Sequence, residues 1–262
     1  MSFRKEEPTY GGTGFGSRNR KLVMELDGTE DYIEIGNHAV FNFTDGAGDD
    51  SPFSLSAWVQ TESALDQGAI ISKNSGSGVA SNWLFVHDQG QIWGILYDGS
   101  GSNLAAIRVR TSSSGLLPPG EWTHVLFTYN GTNSQAGMNL YVNGQPAAVV
   151  RDNPAPYSGQ TATTSPVRIG ANAASGIGNE FEKFITEACV LGFEASAAQA
   201  EELYNNGRPL DMDTFSNTAG MIVWWRLGNG DSVGVDGVRN SSNSAYNGTM
   251  EGDTKIVVVR DL

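Results

Sequence analysis

The chain has 262 residues, 33 of them glycine, and only 17% are charged, so it can hold one large turn-rich β-domain or two small ones with few long helices. Its formal net charge of −13 argues against a nucleic-acid binder, whose phosphate contacts need clustered Lys and Arg, and gives solubility as the plain reading. No apolar run approaches about 18 residues, so no membrane insertion is expected, and the single cysteine, Cys189, excludes an internal disulfide.

Residues 1–20 are Gly-rich and locally basic, with charges but no apolar h-region, and read as a flexible arm without a secretory signal or a core of its own. Arg4, Lys5, Arg18 and Arg20, with Tyr10 and Phe15 as apolar anchors, suit assembly against an acidic patch on another subunit or on a copy of the same chain. KLVMELDGTEDYIEIG predicts two strands around Asp27-Gly28, with Ile33 and Ile35 buried and Tyr32 and Glu34 opposite. After an acidic loop, Phe53, Leu55, Ala57 and Val59 alternate with Ser54, Ser56 and Trp58. Further strands are expected at 69–72, 83–86, 91–97 and 105–110, the last with Ile107 and Val109 inward and Arg108 and Arg110 outward.

Pro118-Pro119-Gly120 forces a turn into the clearest stretch of the chain. Val125, Phe127 and Tyr129 alternate there with Trp122, His124, Leu126 and Thr128, which suits a strand held between two layers. Asn143-Gly144 supplies two positive-φ positions of a type I′ turn, so Met138–Val142 should fold back on Pro146–Val150. A polar loop over 153–166 precedes strands at 167–170 and 184–193, and Cys189 in the latter reads as a small buried hydrophobe. One helix is expected at 197–205, opened by a Ser196/Gln199 capping box, closed by Gly207 at C′, and docked through Leu203 and Tyr204. The remaining residues, 209–262, carry Trp224, Trp225 and a β-rich run at 256–259.

W-T-H-V-L-F-T-Y-N-G followed by L-Y-V-N-G resembles the laminin G-like jelly rolls of the concanavalin A-like lectin and glucanase superfamily. The opening L-D-G-T-E-D-Y-I-E-I, the F-S-L-S-A-W-V strand, the closing F-I-T-E-A-C-V strand and the short helix extend the resemblance over residues 21–208. It implies an all-β, two-sheet antiparallel jelly-roll sandwich with one short helix. Secreted animal laminin G modules usually carry a disulfide, and this chain departs from them. The W-W-R-L and N-G-T-M strings of 209–262 resemble a segment that usually precedes such a domain but here follows it. That extension is expected to pack on the same sandwich or on a neighbouring chain.

Related domains often hold calcium, which makes it the candidate cofactor, with Asp27, Asp31 and Glu187 as ligands because the family's opening and closing strands are neighbours. His38, His87 and His124 have no paired spacing and predict no zinc site. Trp58, Trp83, Trp93 and Tyr97, on middle strands, are the candidate sugar platform. Glu25, Asp27 and Glu30 fit the E-x-D-x-x-E string of retaining β-glucanases, yet Asp-Gly-Thr reads as a turn, so a non-catalytic protein is expected. A lectin-like sandwich without leader or disulfide points to a virion surface component of a phage or other virus, such as a decoration, tail or fibre protein, and otherwise to an extracellular location. Its partners would be other virion proteins, copies of itself or glycans. A free-standing carbohydrate-binding module is the alternative, and a retaining β-glucanase the third reading.

Overall fold

In the computed structural model, which describes residues 20–74, 82–98, 105–172, 180–228, 237–238 and 244–260, the apolar alternation becomes two facing antiparallel sheets. In chain order the strands are β1 (Arg20–Asp27), β2 (Tyr32–Gly36), β3 (Phe53–Thr61), β4 (Gln67–Lys73), β5 (Trp83–Asp88) and β6 (Gln91–Tyr97). They continue with β7 (Ala106–Thr111), β8 (Thr123–Tyr129), β9 (Met138–Val142), β10 (Gln145–Pro146), β11 (Val149–Asp152) and β12 (Val167–Ile169). The last are β13 (Glu182–Leu191), β14 (Met221–Trp225), β15 (Gly237–Val238), β16 (Gly248–Glu251) and β17 (Lys255–Arg260). Among the described residues, one sheet has eight strands in the order β10-β9-β8-β3-β13-β1-β17, with β14 also on β13, and the other has nine in the order β11-β7-β6-β5-β4-β12-β2-β16-β15. This is the expected jelly-roll sandwich.

The core lies between the sheets and is dominated by rings. Phe53 stacks on Phe43 with centroids 4.2 Å apart and meets Phe127 edge-on at 5.8 Å, and Trp83 and Trp225 are also fully buried. Aromatic side chains each bury on the order of 150–250 Å², so this cluster supplies much of the hydrophobic stabilisation. Gly94 makes room for it, because a Cβ there would stand 2.5 Å from the Phe127 ring.

Three segments differ from expectation. The turn at Asn143 (φ 49) and Gly144 (φ 75) forms, but the returning arm, β10, is only two residues long. The Ala147 N–H still donates to the Leu140 carbonyl at 2.9 Å, but the Ala148 carbonyl already accepts from Ser112, and from Val149 the chain pairs with Thr111 of β7 in the other sheet. The helix, α1 (Ala197–Tyr204), has its capping box, yet the left-handed turn that ends it starts at Asn205 (φ 47) and Asn206 (φ 54), before Gly207 (φ 84). Among residues with a Cβ, Asn is one that adopts that conformation, because its short polar side chain can hydrogen-bond locally. Arg20, read as part of the arm, begins β1 opposite Arg260, while Arg4, Lys5, Tyr10, Phe15 and Arg18 lie outside the described residues.

The described residues of 209–262 add strands to both sheets of the same chain. β14 pairs with β13, β17 with β1, and β16 with β2. Trp225 enters the main core and donates its indole N–H to the Tyr246 carbonyl at 2.8 Å, whereas Trp224 lies on the outer face with Leu203 and Cys189. The 153–166 loop is tied down by Asp50, which accepts from the Tyr157 hydroxyl (2.6 Å) and the Gln160 N–H (2.6 Å), and by Lys73, which donates to the Ser165 carbonyl (2.6 Å).

Candidate functional site

Strands β5, β6 and β7 turn their alternate residues away from the core. On that outer face Ala69, Leu84, Val86, Ile95 and Ala106 form a small apolar cluster against which the partly exposed Trp93 and Tyr97 pack. Register sets Trp93 beside Arg110, Ile95 beside Arg108 and Tyr97 beside Ala106. The Arg110 guanidinium lies 5.2 Å from the centroid of the Trp93 ring and donates from Nη1 to Gln91 Oε1 at 3.4 Å. Burial pushes the Tyr97 phenol pKa up, and the nearby Arg108 charge opposes the rise. The Trp93 Nε1 donor is buried without a hydrogen-bond partner. Aromatic and aliphatic surface bordered by planar donors is the composition that holds a sugar ring and its polar substituents.

Only two of the four aromatic candidates belong to this face. Trp83 points into the core with no exposed surface and donates its indole N–H to the Phe41 carbonyl at 2.9 Å. Trp58 lies on the outer face of the other sheet, where Tyr204 of α1 stacks over it at 5.8 Å. Arg108 and Arg110 were legible as outward-facing, but their place beside Trp93 and Tyr97 depends on strand register.

A second cluster sits at one end of the sandwich. Carboxylate oxygens of Asp27 at the end of β1, Asp31 before β2 and Asp253 between β16 and β17 all lie within 4.8 Å of one another. They border a cleft of about 350 Å³ that Glu25, Glu62, Glu182, Lys183 and Lys255 also line, Lys255 lying 3.4 Å from Asp253. Asp31 is only 2% exposed, and its two oxygens accept from the backbone N–H groups of Asp27 (3.0 Å) and Asp253 (2.8 Å). Burial raises its pKa, the two hydrogen bonds oppose that, and the charges of Asp27 and Asp253 add to it. Gly252 (φ 69) is required here, since a Cβ would stand 2.4 Å from Asp31 Oδ1.

Glu187 does not join this group. β1 and β13 run antiparallel with Asp27 opposite Glu182, which carries Glu187 toward the far end of β1. There it occupies a bulge at φ 50, pairs with Lys21 at 3.1 Å and accepts the Trp224 indole N–H at 2.7 Å. Asp253 takes the place expected of it. Calcium uses six to eight hard oxygen ligands, and three convergent carboxylates on turns fit the charged part of such a shell.

The family model of the concanavalin A-like lectin/glucanases superfamily matches residues 27–201. The chain belongs to that superfamily. No curated protein matches the sequence. A Bacteroides ovatus protein put forward as carbohydrate-binding aligns at 16% identity and a TM-score of 0.56, over 92% of this chain and 60% of its own. The chain thus spans less than two thirds of that structure. The CBM40 of a Ruminococcus gnavus sialidase, bound to α2,3-sialyllactose, aligns at 13% identity and TM-score 0.49, over 72% of this chain and 100% of its own. A heptameric pentraxin from Limulus polyphemus aligns at 12% and 0.44, over 73% and 84%. The first of these likenesses bears on the fold alone.

Within this lectin/glucanase superfamily, the E-x-D-x-x-E string can be placed directly. Glu25 and Asp27 line the acidic cleft, whereas Glu30 is exposed at a left-handed turn position (φ 61) and does not line it. Asp27 is engaged by the Thr29 N–H at 2.8 Å. The histidines are structural: His124 Nε2 bonds Ser56 Oγ at 2.9 Å, His87 meets the Phe181 ring at 4.9 Å, and His38 Nε2 bonds the Ile35 carbonyl at 3.1 Å. Burial lowers the His124 pKa to about 3 and that of His87 to about 4, and raises the Cys189 thiol to about 12, so none is poised for acid-base or nucleophilic work near neutrality.

Proposed function

We propose that the chain is a non-catalytic carbohydrate-binding jelly roll that takes a glycan on the outer face of β5, β6 and β7. The observation that carries this reading is the joint projection of Trp93, Tyr97, Arg108 and Arg110 from one partly exposed surface, while Trp58 and Trp83 are committed to packing. The Bacteroides ovatus protein of the same fold, itself put forward as carbohydrate-binding, supports it. The string that would have carried glucanase chemistry is broken by its own turn at Glu30.

Calcium at Asp27, Asp31 and Asp253 belongs to the same proposal as a structural ion, distant in function from the sugar face. Display on a viral particle is the proposed setting for such a module, and stoichiometric, symmetric copy number in purified particles tests it. A glycan array probed with the purified chain tests the binding itself. Trp93→Ala and Tyr97→Ala should each weaken every positive signal, and signals that survive both substitutions would move the site elsewhere.

A further inference from the structure

Resting on the glycan-binding reading, we propose that this face selects an acidic sugar, one carrying a carboxylate or a sulfate, and that Arg110 is the residue that makes the selection. The chain carries 29 acidic against 16 basic residues, so a cation without a nearby acid is unexpected by composition alone. Arg168, on the same sheet, shows the usual arrangement: its guanidinium lies 4.6 Å from the Tyr32 ring centroid and pairs with Glu34 at 3.0 Å. Arg110 has the same ring contact without the acid. Among the described residues no carboxylate lies within ion-pair distance of it, and its only hydrogen bond is the long one to Gln91.

Its direct cross-strand neighbours carry no negative charge, and Asp152, diagonal to it on β11, stands opposite Arg108. Across the ladder its neighbours are Trp93 on β6 and Val150 on β11, and Val150 is 42% exposed. Within the segments joining these strands, residues 75–81 and 99–104 contain no charged residue in their sequence, while Asp98 directly follows β6. A guanidinium partly desolvated on an indole ring keeps a planar fork of donors, and that fork matches a carboxylate or sulfate in a bidentate manner. Trp93 and Tyr97 then offer apolar surface to the sugar ring from the same face.

The test is a glycan array of matched pairs that share a backbone, native against desulfated carrageenan oligosaccharides and native against carboxyl-reduced oligogalacturonate, probed with the native chain and with Arg110→Gln. Acidic members should dominate the native profile, with carboxylate or sulfate preference naming the source. In solution titrations of the best acidic oligosaccharide, Arg110→Gln should weaken binding by about tenfold or more, the scale of a lost hydrogen bond to a charged group. The same variant should weaken its uncharged counterpart less, so that the ratio of acidic to uncharged affinity falls. Salt near 1 M, where the screening length is about 3 Å, should narrow the acidic preference in the native chain. Equal binding of charged and uncharged members, or an acidic preference that survives Arg110→Gln, overturns the selection and leaves glycan binding standing. A blank array overturns both.

Discussion

Asp31 ties the β1–β2 turn to the β16–β17 turn, and its charge is held where burial and two neighbouring carboxylates oppose it. Because its pKa is raised on folding, the folded state holds its proton more tightly than the unfolded state does. The stability it contributes therefore declines as pH rises through the interval above the ordinary carboxylate value. A divalent cation would reverse that cost at neutral pH. Calcium at 100 times its dissociation constant would add about 2.7 kcal/mol, or several degrees in melting temperature. Calorimetry with calcium and then with excess chelator should show the shift and its reversal, and Asp31→Asn should abolish the response; identical melting curves would remove the calcium site. The buried histidines impose a different pH dependence. His87 and His124 have folded pKa values of about 4 and about 3, below the unfolded value, so the unfolded chain binds more protons as pH falls below about 6.5. Denaturation at pH 7 and pH 5 should differ by about 2 kcal/mol for each histidine. Asp31 and Asp50, raised by burial, act in the opposite sense above the ordinary carboxylate value.

The element most dependent on a local signal is α1. Ser196 accepts from the Gln199 N–H while Gln199 accepts from the Ser196 N–H, and Leu203 and Tyr204 then cover Trp58 and Cys189 on the outer face of the eight-stranded sheet. Ser196→Ala should cost about 1 kcal/mol in a urea unfolding experiment, and no measurable loss would show that tertiary contacts alone hold the helix. Such short-range features were legible in the sequence, as were the strands that alternate cleanly and the Asn143-Gly144 turn. Others were hidden for physical reasons. Strand β5 is apolar on both sides, so Trp83 and Leu84 cannot be assigned to inner or outer faces by periodicity, although one enters the core and the other does not. Asp253 joins Asp27 through the pairing of β17 with β1 and of β16 with β2, which no local spacing announces. Glu187 was misplaced because neighbouring strands were known but not which ends would meet.

At the scale of the whole molecule, the described strands of 209–262 belong to both sheets, β14 pairing with β13, β17 with β1 and β16 with β2. Two buried tryptophans alone represent several kcal/mol, a large share of the 5–15 kcal/mol that typically separates folded from unfolded states. Removing residues 209–262 should therefore yield a chain without a cooperative thermal transition, and a sharp transition in the truncated protein would refute that dependence. The pairing of Arg20 with Arg260 has another consequence. The two ends of the sandwich are neighbours in space, so its sequence can be treated as a ring that may be opened at any exposed loop. A segment resembling one that usually precedes these domains can then follow the domain and still reach the same sheets. Joining residue 260 to residue 20 through a short glycine-serine linker and opening the chain between Arg208 and Pro209 would place 209–260 first. The permuted chain should melt within a few degrees of the native one, because every strand keeps its neighbours and only the order of synthesis is exchanged.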